Sequence, residues 1–300
     1  MTSARQDTAP STSRPEAEIA VIGGSGLASL EADDARALPP VNTPYGTVEG
    51  ITAATIAGRR VVFLPRHGAG HRVPPHALNV RAQLWALASL GAGILLSTNA
   101  VGGLDPAANP GDLLLTDQLI DRTWGRADTF FDDGDREPGV QHLPFAEPYS
   151  AQLRAIAASA LRGIGETPHE AGTSVVIQGP RFSTRAEGAW HRLMGASTVN
   201  MTQLPEAALA AELGFAHVNL AIITDTDTEH GDAEEDRSVS ADRVFQVMAA
   251  AQPRLSAAIT AIITAIPAGY SEEAALPPEV VRSILDRPVG AGTDDGQDAE

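Results

Sequence analysis

Between residues 19 and 227 the chain repeatedly sets a short apolar run against an abrupt glycine or polar stop. Glu18 to Ile22 stops at Gly23-Gly-Ser-Gly26, and Arg60 to Leu64 stops at Pro65-Arg-His67. Ile94-Leu-Leu96 runs into Ser97-Thr-Asn-Ala100, and His217 to Ile223 runs into Thr224-Asp-Thr-Asp227. Near-continuous apolar runs of this length read as strands buried on both faces. Asp112 to Ile120, Thr173 to Ile177 and Thr198 to Met201 read as further strands, and Ile51 to Ile56 pairs with Arg60 to Leu64 as a hairpin turning at Gly58. Helical patterns fill the intervals: one opened by Pro74-Pro75 and closed by Gly91, then Tyr149 to Ile164, Thr184 to Met194 and Pro205 to Leu213. A long one runs from Ser240 to Ile266, capped by Ser240 or Asp242. This alternation predicts an α/β fold: a single three-layer domain with a central mixed β-sheet flanked by helices. No break in composition divides residues 19–285, which form the expected domain; residues 1–18 and the acidic 286–300 are expected to be disordered tails.

Composition narrows the function. The 300 residues carry a net charge of −17, a field that repels DNA and RNA, so no nucleic-acid partner is expected. All 21 basic residues are Arg, which excludes a Schiff-base lysine and a P-loop lysine. With 0 Cys there is no disulfide, thiolate metal site or Cys nucleophile. The Ser/Thr/Pro-rich start lacks the apolar core of a signal peptide, and the apolar stretch 257–266 is too short to span a bilayer. A cytoplasmic protein with no membrane partner is expected.

Ligands of such sheets bind beyond the carboxyl ends of the strands, where this chain places its polar residues. Gly23 to Gly26 can curl into an anion nest to which Ser25 adds a hydroxyl, although the spacing is neither a dinucleotide fingerprint nor a Walker A loop. Arg66 and His67 suit a phosphate dianion, as a guanidinium fork with a second donor; the bland alternative is a surface ion pair. Metal ligation by His67, His71 and His76 lacks a matching carboxylate motif, and no metal is expected. Thr98 to Gly103 reads as a second glycine turn, where Asn99 and the amide of Ala100 are donor candidates. Met201, in Asn200-Met-Thr202, fits a sugar face or a core. On an extended chain Asp225 and Asp227 point the same way, and two adjacent carboxyls can share a proton. From residues alone this pair could equally be a Mg²⁺ site or an exposed acidic loop.

Taken in order, the segments VIGGSGL (21–27), TPYG (43–46), PRHGAGH (65–71), NAVGGL (99–104), HLPFAEPY (142–149), QGPRFSTRAE (178–187), VNMTQLPEAALAAELG (199–214) and TDTD (224–227) resemble the trimeric purine nucleoside phosphorylases. Within that family the likeness is greatest to members that cleave 5′-methylthioadenosine. The resemblance covers residues 19–266 and implies a homotrimer that takes a purine nucleoside and inorganic phosphate, with no other cofactor. It implies phosphate binding by Ser25, Arg66, His67, Asn99, Ala100 and Thr202, although Asn99 stands where the closest relatives often have Thr. Met201 would lie against the ribose. Asp225 would protonate N7 of the leaving purine, and Asp227 would accept from a 6-amino group, which favours adenine over a 6-oxopurine. Val244 would meet a 5′-methylthio group, together with His142 from a neighbouring subunit. The alternatives are a general phosphorylase of 6-oxopurine nucleosides, a nucleoside-binding protein without catalysis, and a metal-dependent hydrolase using Asp225, Asp227 and the His residues. The loop 228–237 is longer and more acidic than the family pattern, and the segment from Pro267 onward does not match it.

Overall fold

The structure is a computed structural model that describes residues 17–24, 32–68, 70–226 and 241–289. Ser25, Asp227, the acidic loop 228–237 and most of both expected tails therefore lie outside the described residues.

The strands are β1 (Ile19–Gly23), β2 (Arg36–Ala37), β3 (Val41–Thr43), β4 (Gly46–Val48), β5 (Thr52–Ile56), β6 (Arg59–Pro65), β7 (Ile94–Gly103), β8 (Leu113–Leu115), β9 (Gln118–Arg122), β10 (Thr173–Ile177), β11 (Thr198–Asn200) and β12 (Ala216–Thr226). The helices are α1 (Val80–Ser89), α2 (Ala151–Gly163), α3 (Arg185–Leu193), α4 (Gln203–Glu212), α5 (Ala241–Ala265) and α6 (Pro278–Leu285). One ten-stranded sheet runs β2-β5-β6-β1-β7-β11-β10-β9, with β12 joined to β7 and β8 off that path. β1 is parallel to β6 and β7, and β12 is parallel to β7, whereas β11 meets β7 antiparallel. The sheet is thus mixed, and helices cover both faces.

Strand alternation builds the two inner faces. Ile19 and Val21 of β1 pack with α2 and α5, while Ala20 and Ile22 pack with α1, α4 and α6. By length and apolarity 246–265 of α5 matches a membrane span, yet Leu255, Ile259, Ile262 and Ile266 enter the core beside α2. Ala17 is fully buried, and Glu18 pairs with Arg59 and Arg60, which anchors the chain just before β1.

Local chemistry moved several expected boundaries. The Pro74-Pro75 pair heads only a 3₁₀ turn (Pro75–Ala77); α1 starts after Asn79, whose side chain accepts from the Ala82 amide. The strand expected over 112–120 is two strands, because β8 pairs with β12 and β9 with β10, and the chain changes neighbours at Thr116-Asp117. The glycine turn expected at 98–103 is the continuation of β7. Gly103 serves close packing there, since a Cβ would stand 2.8 Å from the Ala108 carbonyl oxygen. The hairpin turns at Ala57-Gly58, with φ of 50° and 75°. The expected caps of α5, Ser240 and the side chain of Asp242, lie outside what is described.

Candidate active site

Sheet topology opens the site. On one edge of β7, Ile94 to Ser97 pair with β1, and Gly102 and Gly103 pair with β11. Residues 98–101 between them have no strand partner on that edge among the described residues. The gap is the floor of a cavity of about 360 Å³ at the carboxyl ends of β1, β7 and β12. The cavity gathers Arg66, His67, Asn99, Ala100, Met201, Thr202, Asp225 and Val244. His142 is exposed and does not line the cavity of its own chain.

Arg66 is 1% exposed and is not a free fork. Its Nε and Nη2 donate to the two carboxylate oxygens of Glu206 at 2.7 and 3.0 Å, and its Nη1 donates to the Thr98 carbonyl at 2.8 Å. The bidentate face that the sequence reading aimed at phosphate is therefore turned on Glu206. Arg66 lines the cavity, and two of its Nη hydrogens are not spent on these bonds. Sequence reasoning missed Glu206; the available signal was a pair of carboxylates, Glu206 and Glu212, in the otherwise apolar stretch Leu204 to Leu213.

The Thr98 carbonyl points into the gap, so strand alternation aims the amide of Ala100, two residues on, into the same gap. Close approach here requires glycine at position 24: a Cβ would lie 2.7 Å from the Thr98 carbonyl oxygen and 3.0 Å from Arg66 Nη1.

His67 donates from Nδ1 to the Val73 carbonyl at 2.8 Å. Burial, with Arg66 beside it, pushes its pKa down to about 4. The ring is neutral at pH 7, and Nε2 presents a lone pair. His67 is thus an acceptor, suited to a P–OH, and not the second donor that the sequence suggested.

The turn at 200–203 is held by Asn200, whose Oδ1 accepts from the amides of Thr202 and Gln203 at 2.9 Å each. Thr202 precedes α4 but makes no side-chain cap bond, and its residue lines the cavity. Gly179 (φ +63°) lies against Met201, where a Cβ would approach Sδ to 2.5 Å. β12 carries a bulge at Thr224, since Ile223 pairs with Val101 and Asp225 with Gly102. The extra residue brings both Thr224 and Asp225 to the cavity, where strict alternation would admit one. Thr224 Oγ1 lies 2.7 Å from Asp225 Oδ1 and 3.3 Å from the Val101 carbonyl.

A mixed sheet with helices on both faces, and a cavity of this make-up at the strand ends, is the arrangement of a nucleoside phosphorylase-like enzyme. The phosphorylase superfamily model matches residues 18–264, and the chain belongs to that family. It is similar to a purine nucleoside phosphorylase of Streptomyces coelicolor, 48% identical over 84% of this chain and 90% of the relative. It is similar also to an S-methyl-5′-thioadenosine phosphorylase of Mycolicibacterium smegmatis, 49% identical over 70% of this chain and 77% of the relative. Among solved structures, methylthioadenosine phosphorylase from Schistosoma mansoni in complex with adenine superposes with a TM-score of 0.79 at 32% identity, covering 90% of this chain and 97% of that one.

Proposed function

We propose that this member of the phosphorylase superfamily cleaves 5′-methylthioadenosine with inorganic phosphate, releasing adenine and 5-methylthioribose 1-phosphate for purine and methionine salvage. One observation carries the reading: a donor-rich, strand-edge gap opens into the same cavity as a buried carboxyl, a thioether and an apolar helix residue. Phosphate attacks C1′ as the C1′–N9 bond breaks, and the purine leaves with negative charge that a proton at N7 relieves. The phosphate is held by the Ala100 amide, the Asn99 amide group, Thr202, the remaining Nη hydrogens of Arg66 and the Nε2 lone pair of His67, with Ser25 completing the set. Met201 packs on the ribose. Asp225 donates the proton to N7. The Thr224 hydroxyl has a single proton, and if the Val101 carbonyl takes it, its oxygen is free to accept from a protonated Asp225. Asp227 receives the 6-amino group. Val244 meets the methylthio group, and His142 of a neighbouring copy closes the 5′ pocket of a homotrimer. The exposed apolar residue Val140, two residues before His142, supports burial of that segment in an assembly.

The 48% identity to the Streptomyces relative favours a second reading, a general purine nucleoside phosphorylase. Purified protein mixed with methylthioadenosine, adenosine or inosine, each with and without phosphate, separates the two by absorbance. Phosphate-dependent adenine release, fastest from methylthioadenosine, is expected. Cleavage of inosine alone would overturn the roles given to Asp227 and Val244 in favour of the second reading.

A further inference from the structure

Among the described residues, Asn99 Nδ2 is a buried donor with no partner in the protein, on a residue 3% exposed in the cavity lining. Side-chain amides can be turned end for end, so the direction of this one needs a cause. The cause can be traced to backbone amides, which only donate. The amides of Thr202 and Gln203 fix Oδ1 of Asn200 as an acceptor. Asn200 Nδ2 therefore donates, to Gln203 Oε1 at 2.7 Å. That leaves Gln203 Nε2 to donate to Asn219 Oδ1, which also accepts from Thr116 Oγ1 at 2.9 Å. Asn219 Nδ2 must then donate onward, to Asn99 Oδ1 at 3.0 Å. Each link is buried, Asn219 fully, and no link has the freedom to reverse alone without setting donor against donor or acceptor against acceptor.

The geometry points to Asn200, Gln203 and Asn219 as positioning residues: a directional relay of side-chain amides that locks Asn99 with Nδ2 turned to the phosphate. The inference rests on the reading of this cavity as a phosphate site. The relay starts at the turn that carries Met201 and Thr202, so it ties the orientation of the Asn99 donor to the shape of the Met201-Thr202 turn. Reversed, Asn99 would present its carbonyl oxygen to an anion.

The test is Asn219→Asp, nearly isosteric, whose second oxygen accepts from Asn99 and so turns Asn99 Oδ1 to the cavity. The expected result is a phosphate KM raised by about 10- to 100-fold, with the nucleoside KM changed little. In an Asn99→Thr background the hydroxyl rotates freely and can donate in either case, so adding Asn219→Asp there should leave the phosphate KM unmoved. Gln203→Glu reverses the relay one link earlier and should give the same signature if Asn219→Asp folds poorly. An equal rise in both backgrounds would mean that Asn219 acts on general structure, and would overturn the relay. So would an unchanged phosphate KM in Asn219→Asp and Gln203→Glu while Asn99→Ala raises it. If Asn99→Ala itself leaves the phosphate KM unchanged, the phosphate reading of Asn99 fails, and the relay with it.

Discussion

Arg66 and Glu206 are each 1% exposed and paired, so the positive charge of Arg66 is neutralised before any ligand arrives. Phosphate binding then draws on directed N–H and O–H groups more than on net charge, which explains how a chain of net charge −17 can hold a dianion. The pair is also a structural liability if split. Glu206→Gln should lower unfolding stability by on the order of 3 kcal/mol, because a buried guanidinium loses its counter-charge. A urea midpoint equal to the parent's would show that the fold tolerates Arg66 unpaired. At Asp225, replacing the acid with Asn removes the proposed proton donor but keeps shape and burial. Loss of kcat by about 10²- to 10⁴-fold is expected with methylthioadenosine, and the phosphate KM should hardly move. A kcat within threefold of the parent's would assign the proton to another group. At this scale the residues themselves were partly legible: Asp225 follows an apolar run and so stands out as a candidate. The partner of Arg66 lies 140 residues away, and no local pattern reports a pairing that only the closed sheet creates.

At the scale of elements, the strands and helices with strong apolar periodicity were legible, and their ends were not. β1, β6, β10 and α2 fall close to where the residues put them, because burial on both faces or one apolar stripe leaves a plain pattern. β7 was cut short at its Thr98-Asn99 pair and its glycines, which ordinarily mark a turn. Its partner β12 pairs with it through Gly103, and that tertiary pairing outweighs local preference. The amide relay was invisible for the same reason, since it links β7, β11, α4 and β12. One element-scale consequence is direct. Gly179, in the turn after β10, keeps room for Met201 on the next strand's exit. Gly179→Ala adds a methyl that displaces a flexible thioether, together with a cost of about 1 kcal/mol for its left-handed backbone. The nucleoside KM should rise several-fold while the phosphate KM stays put. A rise in the phosphate KM alone would place Met201 away from the sugar.

For the whole molecule, two of the buried imidazoles among the described residues, His67 and His217, are held most strongly in the neutral form. His67 is held down to about 4 and His217, fully enclosed and near Arg66, to about 3, against an ordinary value of 6.5. Below pH 6.5 the unfolded chain takes up protons that the folded chain refuses. Stability is therefore fully present above about pH 6.5 and declines as pH falls through 4 and toward 3, by a few kcal/mol per imidazole. Thermal melts across pH 4 to 7 check this: a midpoint flat down to pH 4 would mean that the rings stay accessible to protons in the fold. The bulge at Thr224 has a consequence for motion. Upstream, Val218 to Ile222 are sealed into the parallel seam with β7 and buried on both faces, and their amides should exchange with deuterium only when the whole molecule opens. Past the dropped stitch the seam is locally interrupted, so Asp225 and Thr226 can part from Gly102 and Gly103 without unzipping the core. Asp225, the proposed acid, thus sits beyond the bulge, on the stretch of β12 that the interruption frees from the core, and among the described residues only the Asn219 relay carries the site's contacts below Ile223.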